Sequence, residues 1–587
     1  MIEKQDPKLQ TPSGFFRHSS LTYRNPPNRE DEMDRALSLL QEKKQEWANL
    51  PLIERINILD DILLQMRTYA PEWASLSCDA KGNSGNAYAE AEEWAFVTII
   101  FRMVRLLRKS LLQIRKYGHP LIPGPLRRRS NGQVVAQVFP QSFYDRLLLP
   151  GTSAEVWMQP GVTPEEVVET QASFYRSGKT EGKVALVLGA GNASMLIPSD
   201  ILYQLFVEGS VILLKLNPVN DYLGPLVEKT FRSLIKPGYL RIIYGGSKEG
   251  SYLCLHNDVE EIHTTGSDKT YEDIVFGPGE EGRLRKAQKS PRITKRFTAE
   301  LGNVTPIIIV PGSWSHADVY SQAERLASWL VINAGFNCLT PRLIIQWAGW
   351  SQRAELNQAI EEILGTIPTR AAYYPGAEKR QQRYLDAHPE ARKFAREQKA
   401  SHLPWVFIPG LDPANSEDIC FRNESFCGLF AETDIQAGTV EEFLKKAARF
   451  ANEQLWGNLT ATIVAHPQTL KDPQLSLQVE QCIADLHYGM VLVNQFAGLG
   501  FMAITTTWGA YPGNSIYDIQ SGTGITTNAL MFALPEKSIV RSPFRLSPDP
   551  LLASSRRPKA FARQLAAFQY HPSVVEAAKL TWLAMRS

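Results

Sequence analysis

Cysteine is scarce in this sequence and never closely paired. Six cysteines (Cys78, Cys254, Cys338, Cys420, Cys427 and Cys482) are scattered through 587 residues with no CxxC spacing, which excludes a dithiol redox motif and fits a reducing compartment better than a disulfide framework. The ten histidines form no HxxxH pair, so no metal site is expected. Excess charge is missing too: 63 basic against 61 acidic side chains leave +2, which gives no electrostatic footprint for nucleic acid. No apolar run approaches the roughly 20 residues that span a bilayer. The opening residues, MIEKQD, lack the apolar core of a secretory signal. A cytoplasmic protein without a transmembrane segment is the expectation.

What is present is length enough for two or three domains. Residues 1–27 are polar and carry Pro7, Pro12, Pro26 and Pro27, as an extended arm would. Met33, Leu37, Leu40, Trp47, Ile56, Leu59, Ile62 and Met66 recur at threes and fours and predict helix over 30–70. A second helical stretch, 88–116, is apolar first and then basic at Arg102, Arg105, Arg108, Lys109, Arg115 and Lys116. Such a helix can lie on a membrane, but a surface helix with a solvated basic side is the plainer expectation. Residues 133–139, 143–149 and 154–159 read as short strands, and 163–177 as helix.

From residue 184 the pattern changes. An apolar strand, 184–188, ends in Gly189-Ala190-Gly191-Asn192; a helix, 199–208, follows, then a second strand, 211–214, closed by Lys215. This is one βαβ unit whose turn is a weak form of the dinucleotide fingerprint. Lys215 stands where an ordinary dinucleotide fold would place an acid. Further on, Glu300-Leu301-Gly302, an apolar run at 306–310, a helical stretch at 317–330 and Asn333-Ala334-Gly335-Phe336-Asn337-Cys338 form a unit that presents a thiol. An ordinary thiol, with a pKa of about 8.5, is only a few per cent thiolate at neutral pH and needs a base to act as nucleophile. Glu300 is the nearest upstream carboxylate. Taken alone, Cys338 reads more readily as buried filler than as a nucleophile.

The motifs together resemble those of the aldehyde dehydrogenase superfamily. Its E-L-G-G-x-x-P appears at 300–306 with Asn303 for the second glycine, and its G-Q-x-C at 335–338 with Phe336 for the glutamine. Asn192 and Lys215 stand 23 positions apart, the family's spacing. Thr264-Thr265-Gly266-Ser267 is similar to its F-T-G-S turn, although a family glycine beyond it is here Tyr271. Glu424-Ser425-Phe426 resembles its E-x-F-G-P, and residues 508–512 and 521–524 look like remnants of its P-F-G-G and S-G loops. The resemblance runs from about residue 30 to 535.

The resemblance implies an α/β fold with two Rossmann-like αβα domains and a small β oligomerisation flap. Its expected parts are a polar arm (1–29), N-terminal helices and a cofactor domain (30–300, with flap strands near 133–159), a catalytic domain carrying Cys338 (301–500), a return segment (501–535) and a tail (536–587). It implies oxidation of an aldehyde to an acid with NADP or NAD. Cys338 would be the nucleophile, Glu300 the base, and Asn192 with the Cys338 backbone N–H the oxyanion site. Lys215 and Glu424 would hold the cofactor riboses, Phe426 would lie by the nicotinamide, and Gly266 and Ser267 by the phosphates. With no acid three residues after Lys215, NADP is expected to be accepted at least as well as NAD. A small Ala193 beside Asn192 suggests a wide tunnel and a bulky or long-chain aldehyde, and a homodimer or homotetramer is expected. Two alternatives stay open: an acyl-CoA reductase on the same fold, and a catalytically silent nucleotide-binding relative. The basic run between Arg283 and Arg296 reads either as an anion-binding loop or as a solvated surface.

Overall fold

The computed structural model describes residues 25–176, 181–397, 399, 401–546, 549 and 552–586, so the expected N-terminal arm lies, up to residue 24, outside the described residues. The first helices, Glu30–Ala48, Leu52–Ala80 and Ala87–Tyr117, follow the apolar spacing: Met33, Leu37, Leu40, Trp47, Leu59 and Ile62 are all buried in one core. The basic side of the third helix is largely engaged. Arg102 pairs with the buried Asp145 at 3.1 Å, Arg108 with Asp60 at 2.5 Å, and Arg105 donates to the Gln569 carbonyl at 2.9 Å. Only its far end, with Lys109, Arg115 and Lys116, is exposed.

Two sheets carry the chain. The smaller has the strand order Gly522–Thr523, Arg296–Leu301, Glu261–Gly266, Val184–Leu188, Val211–Lys215, Leu240–Ile243, parallel except for the first. Strands buried on both faces read as continuous apolar runs, as 184–188 and 211–214 do. The larger sheet has eleven strands. Its parallel centre runs Pro535–Arg541, Met490–Val493, Thr460–Val464, Thr305–Ile309, Pro341–Trp347, Leu429–Ile435, Trp405–Leu411. Val134–Phe139 and Ser153–Met158 are strands as expected. They pair antiparallel through Pro535–Arg541 and extend the edge of this larger sheet.

Between them the sequence expectation fails. Residues 143–149 form a helix, Phe143–Leu148, because Ser142 caps it by accepting the Asp145 N–H at 3.3 Å and Asp145 turns inward to Arg102. The helix expected at 163–177 is two pieces, Pro164–Thr170 and Ser173–Arg176, broken at Ala172 with φ +54°; Ser177 lies outside the described residues.

The chain crosses between the sheets at Gly302, Asn303 and Val304, directly after Glu300. Glu300 therefore stands at the carboxyl end of a strand in one sheet, beside the amino ends of strands in the other. Residues 192, 215 and 266 lie at or just past carboxyl ends of the smaller sheet, where open α/β sheets bind ligands. Residues 338, 424 and 426 precede the strands Pro341–Trp347 and Leu429–Ile435.

Candidate active site

One cavity of about 1000 Å³ lies along this junction, and its wall includes Asn192, Lys215, Gly266, Ser267, Glu300, Cys338, Glu424 and Phe426. Residues from six separate parts of the sequence thus share one space.

Cys338 is presented by an unusual turn. Helix His316–Val331 stops, and Asn333, Ala334 and Gly335 take three successive left-handed conformations, with φ of +52°, +56° and +79°. Left-handed geometry costs an alanine about 1 kcal/mol or more. The opposing hold is a buried polar network. The Asn333 side-chain oxygen accepts from Lys81 at 3.0 Å and Tyr373 at 3.1 Å, and its N–H donates to Glu92 at 3.0 Å. Lys81 pairs with Glu93 at 2.6 Å, and Arg370 with Glu92 at 2.7 Å, all four side chains buried. Gly335 is needed for space as well: a Cβ there would lie 2.6 Å from the Cys427 backbone. Beneath the turn the buried Arg342 donates to the Gly335 carbonyl at 2.7 Å and the Asn337 carbonyl at 3.3 Å.

Cys338 is half-buried, whereas the other five cysteines are buried. Its thiol neighbours the carboxyl group of Glu300, whose Oε1 accepts the Trp508 indole N–H at 3.0 Å. Burial lifts the Glu300 carboxyl to about 7, against the opposing pull of the bonds from Cys338 and Trp508. Burial and then the charge of Glu300 push the Cys338 thiol well above its ordinary value. At rest this is a thiol beside a carboxyl group that titrates near neutrality, a pair suited to passing a proton as the sulfur attacks.

Asn192 is buried, and its side-chain N–H₂ spends one hydrogen on the Phe336 carbonyl at 3.0 Å. An amide nitrogen has two, so one remains for the cavity. The Asn192 carbonyl is held by Asn333 at 2.9 Å and Tyr373 at 2.6 Å, which ties the two turns together. Ala193 is 1 % exposed, packs in the core and is absent from the cavity wall, so its small size does not widen the space.

The rest of the wall has the features of a ligand cradle. Burial lowers the Lys215 ammonium to about 8, and it has no hydrogen-bond partner among the described residues. Glu424 is raised to about 8 by burial, opposed by Arg342 at 4.0 Å, and its Oε1 is buried without a hydrogen-bond partner among the described residues. A Cβ on Gly302 would meet the Glu424 carboxylate at 1.9 Å, and one on Gly191 would lie 2.8 Å from the Asn217 side-chain oxygen. Ser267 caps helix Asp268–Val275 by accepting the Thr270 N–H at 3.2 Å. These unsatisfied groups around an open space fit a dinucleotide.

Departures from the expected motifs have local explanations. Asn303 donates to the Thr460 carbonyl at 2.9 Å and accepts from Thr305 at 2.8 Å, bridging two strands where a glycine would bridge none. Tyr271 points into the core against Phe297, with ring centres 4.7 Å apart, and leaves the Gly266 turn untouched. Much of the basic run is engaged: Arg285 with Glu281, Lys286 with Glu272, Arg296 with Glu208 and Glu261, and Lys295 with two carbonyls. Of the seven basic residues in that run, Arg292 lines the cavity. His388, Asp418 and Cys420 lie within 4.8 Å of one another and could hold an ion. Both imidazole nitrogens, however, face carboxylates (Asp418 at 3.2 Å, Glu390 at 2.9 Å), and Asp418 caps the Cys420 N–H, so the cluster satisfies itself.

Sequence reasoning missed Trp508 as a site residue, and also Arg342, Tyr373 and the arginines Arg380 and Arg383 of helix Ala377–Ala387 on the cavity's far side. Trp508 is 208 residues from Glu300, and only its tryptophan-glycine pair marked the loop.

Residues 180–363 match the model of the aldehyde dehydrogenase family. Among curated proteins, 4-trimethylaminobutyraldehyde dehydrogenase B of Danio rerio is 30% identical over 138 residues, 23% of this chain and 24% of that one. Aminoaldehyde dehydrogenase 2 of Solanum lycopersicum is 25% identical over 212 residues, 33% of this chain and 35% of that one. The chain therefore spans a quarter to a third of the length of these relatives. Fold similarity reaches further. A mutant of aldehyde dehydrogenase C from Pseudomonas syringae, in complex with NAD+ and octanal, has a TM-score of 0.60 at 14% identity, covering 88% of this chain and 89% of that one. Glyceraldehyde-3-phosphate dehydrogenase from Methanocaldococcus jannaschii, complexed with NADP, has a TM-score of 0.58 at 15% identity, covering 88% and 95%.

Proposed function

We propose that the chain is a divergent member of the aldehyde dehydrogenase superfamily and that it oxidises an aldehyde to a carboxylic acid, with NAD or NADP as hydride acceptor. The observation that carries this reading is the Cys338 thiol beside Glu300, a carboxyl group held by Trp508, in a cavity whose wall also includes Lys215 and Glu424, both without a hydrogen-bond partner among the described residues.

Cys338 Sγ attacks the aldehyde carbon as its proton passes to Glu300, giving a thiohemiacetal. The free hydrogen of the Asn192 amide and the Cys338 backbone N–H face the developing oxyanion; such donors are each worth about 3 kcal/mol in the barrier. Lys215 and Glu424 would hold the riboses, Phe426 would pack by the nicotinamide, and Gly266 with Ser267 would stand by the phosphates. When bound, the cofactor supplies the hydride-accepting carbon. Collapse of the thiohemiacetal leaves a thioester on Cys338. Glu300, once it has released the thiol proton to solvent, removes a proton from water, which attacks the thioester; the acid leaves and the proton passes from Glu300 to the departing sulfur, restoring the thiol. A carboxyl group beside the sulfur, able to serve as base for water, favours this hydrolytic end over transfer to coenzyme A.

The test is a panel of aldehydes, short to long and neutral to charged, assayed for reduced cofactor with NAD and with NADP, with and without coenzyme A. Acid formation that disappears in Cys338→Ala while nucleotide binding persists is the expected result. Turnover in that variant above about a hundredth of the original would remove Cys338 from its role.

A further inference from the structure

The last two helices form a hairpin that stands outside the proposed chemistry. Pro558–Tyr570 lies along Ala87–Tyr117: Lys559 pairs with Glu90, the Arg563 guanidinium sits 5.3 Å from the Trp94 ring, and Tyr570 meets Phe101 at 5.6 Å. Val574–Ala584 folds back on it, capped by Ser573, and buries Ala577 and Leu580 against Phe561 and Phe568, with Tyr144 and Leu148 alongside.

The opposite side of that second helix is also apolar. At about 100° per residue, Val574, Ala578, Trp582 and Met585 fall on one stripe about 80° wide, with Val575 at its edge. Val574 is 73%, Trp582 45% and Met585 67% exposed. On the neighbouring short helix, Tyr144 and Leu148 face the hairpin while Phe143 and Leu147 are 72% and 53% exposed. Of sixteen large apolar side chains exposed among the described residues, six are on or at the end of these two helices, so this is a patch and not scatter. A helix that is apolar on both sides lacks a partner on one.

Charge selects the partner. Between residues 552 and 586 six basic side chains (Arg556, Arg557, Lys559, Arg563, Lys579, Arg586) accompany one acidic one, Glu576; Lys559 pairs with Glu90 and Lys579 with Glu576 at 2.9 Å, which leaves four arginines without an ion pair among the described residues. A second copy docked by the same face would set like charge on like charge. Lys579 and Arg586 flank the stripe on its Trp582 side, and the Arg586 guanidinium lies 4.1 Å over the Trp582 ring. An exposed apolar stripe with a tryptophan at its margin and basic residues beside it is the pattern of a helix lying in a membrane surface. No helix among the described residues is long and apolar enough to cross a membrane.

We infer that Val574–Ala584, with Phe143 and Leu147, docks this protein on an anionic lipid bilayer, the apolar stripe entering the interface and the flanking basic residues meeting the headgroups. The test uses the full chain and sedimentation with vesicles of phosphatidylcholine, with and without about a third phosphatidylglycerol. Binding should be at least about tenfold stronger to the anionic vesicles and weaken as salt is raised. The triple variant Val574→Ser, Trp582→Ser, Met585→Ser changes exposed positions only. It should keep its circular dichroism and its basal activity and lose binding by about tenfold or more. Lys579→Glu with Arg586→Glu should abolish the preference for anionic vesicles. Absence of binding to either vesicle overturns the inference, as does unchanged binding by the triple variant. So does a dimer in solution that the triple variant dissociates, which would assign the patch to a second copy.

Discussion

Trp508 Nε1 donates to Glu300 Oε1 at 3.0 Å, and the same carboxyl group neighbours the Cys338 thiol. The indole is fully buried, so the bond fixes one orientation of the carboxyl group, the one that faces the sulfur. Trp508→Phe keeps most of the volume and removes the donor. Because that donor favours the charged form, Glu300 should titrate higher without it, by about one unit, since a hydrogen bond to a charged group is worth about 1.5 kcal/mol or more. At neutral pH turnover should fall about fivefold and recover as pH is raised. A loss equal at all pH values would mean that Trp508 serves packing alone.

The unmodified protein should show a rising limb in turnover centred near pH 7. Its base is the ionised Glu300 carboxylate, which is scarce below about 7 and predominant above it. Lys215 sets the opposite limb for cofactor affinity. Its ammonium, lowered to about 8, loses its charge as pH rises through that value, about two units earlier than an ordinary lysine. Asn217 accepts the Val219 N–H at 3.0 Å through its side-chain oxygen, which leaves its N–H₂ free beside Lys215 at the cavity wall. NADP should therefore bind at least as well as NAD below pH 8, and lose affinity faster above it. Titrations showing a preference for NAD of about tenfold, 1.4 kcal/mol, would contradict this.

Glu300→Gln keeps the shape and the partner for Trp508 but cannot take a proton. Hydride transfer should be slowed, because the thiol has lost its base, and should stop after one turn, giving at most roughly one equivalent of reduced cofactor per site and an acyl-enzyme on Cys338 visible by mass spectrometry. Continued turnover in this variant would show that another group activates the water. If the unmodified enzyme forms acyl-coenzyme A faster than free acid, the hydrolytic ending is wrong.

Lys81→Met should be among the more destabilising single changes, because it leaves Glu93 buried with only the Ser194 hydroxyl at 2.7 Å. Removing one member of a buried pair typically costs about 3 kcal/mol or more, readable as a lower denaturant midpoint. Asn333→Ala should spare cofactor binding and depress turnover, since Asn333 joins the Cys338 turn to the Asn192 turn. Equal losses in binding and turnover would place the effect on the fold at large.

Local pattern determined much of this protein. The period of apolar residues specified the helices at 30–48 and 52–80, and continuous apolar runs specified the parallel strands at 184–188, 211–215 and 305–309. Resemblance to the family's motifs picked out Asn192, Lys215, Glu300, Cys338 and Glu424, which tertiary structure then brought to one cavity. These features are legible because each depends on neighbours a few residues away. Residues 143–149 misread as a strand because the Asp145–Arg102 pair that turns them into a helix spans 43 positions. Only the fold decided that Trp508 would hold Glu300, that Lys81 and Arg370 would brace the nucleophile's turn, and that Asn303 and Tyr271 would be harmless departures from the expected motifs. Such relationships are set by burial and by contact between distant segments, and neither quantity is written in any local stretch of chain.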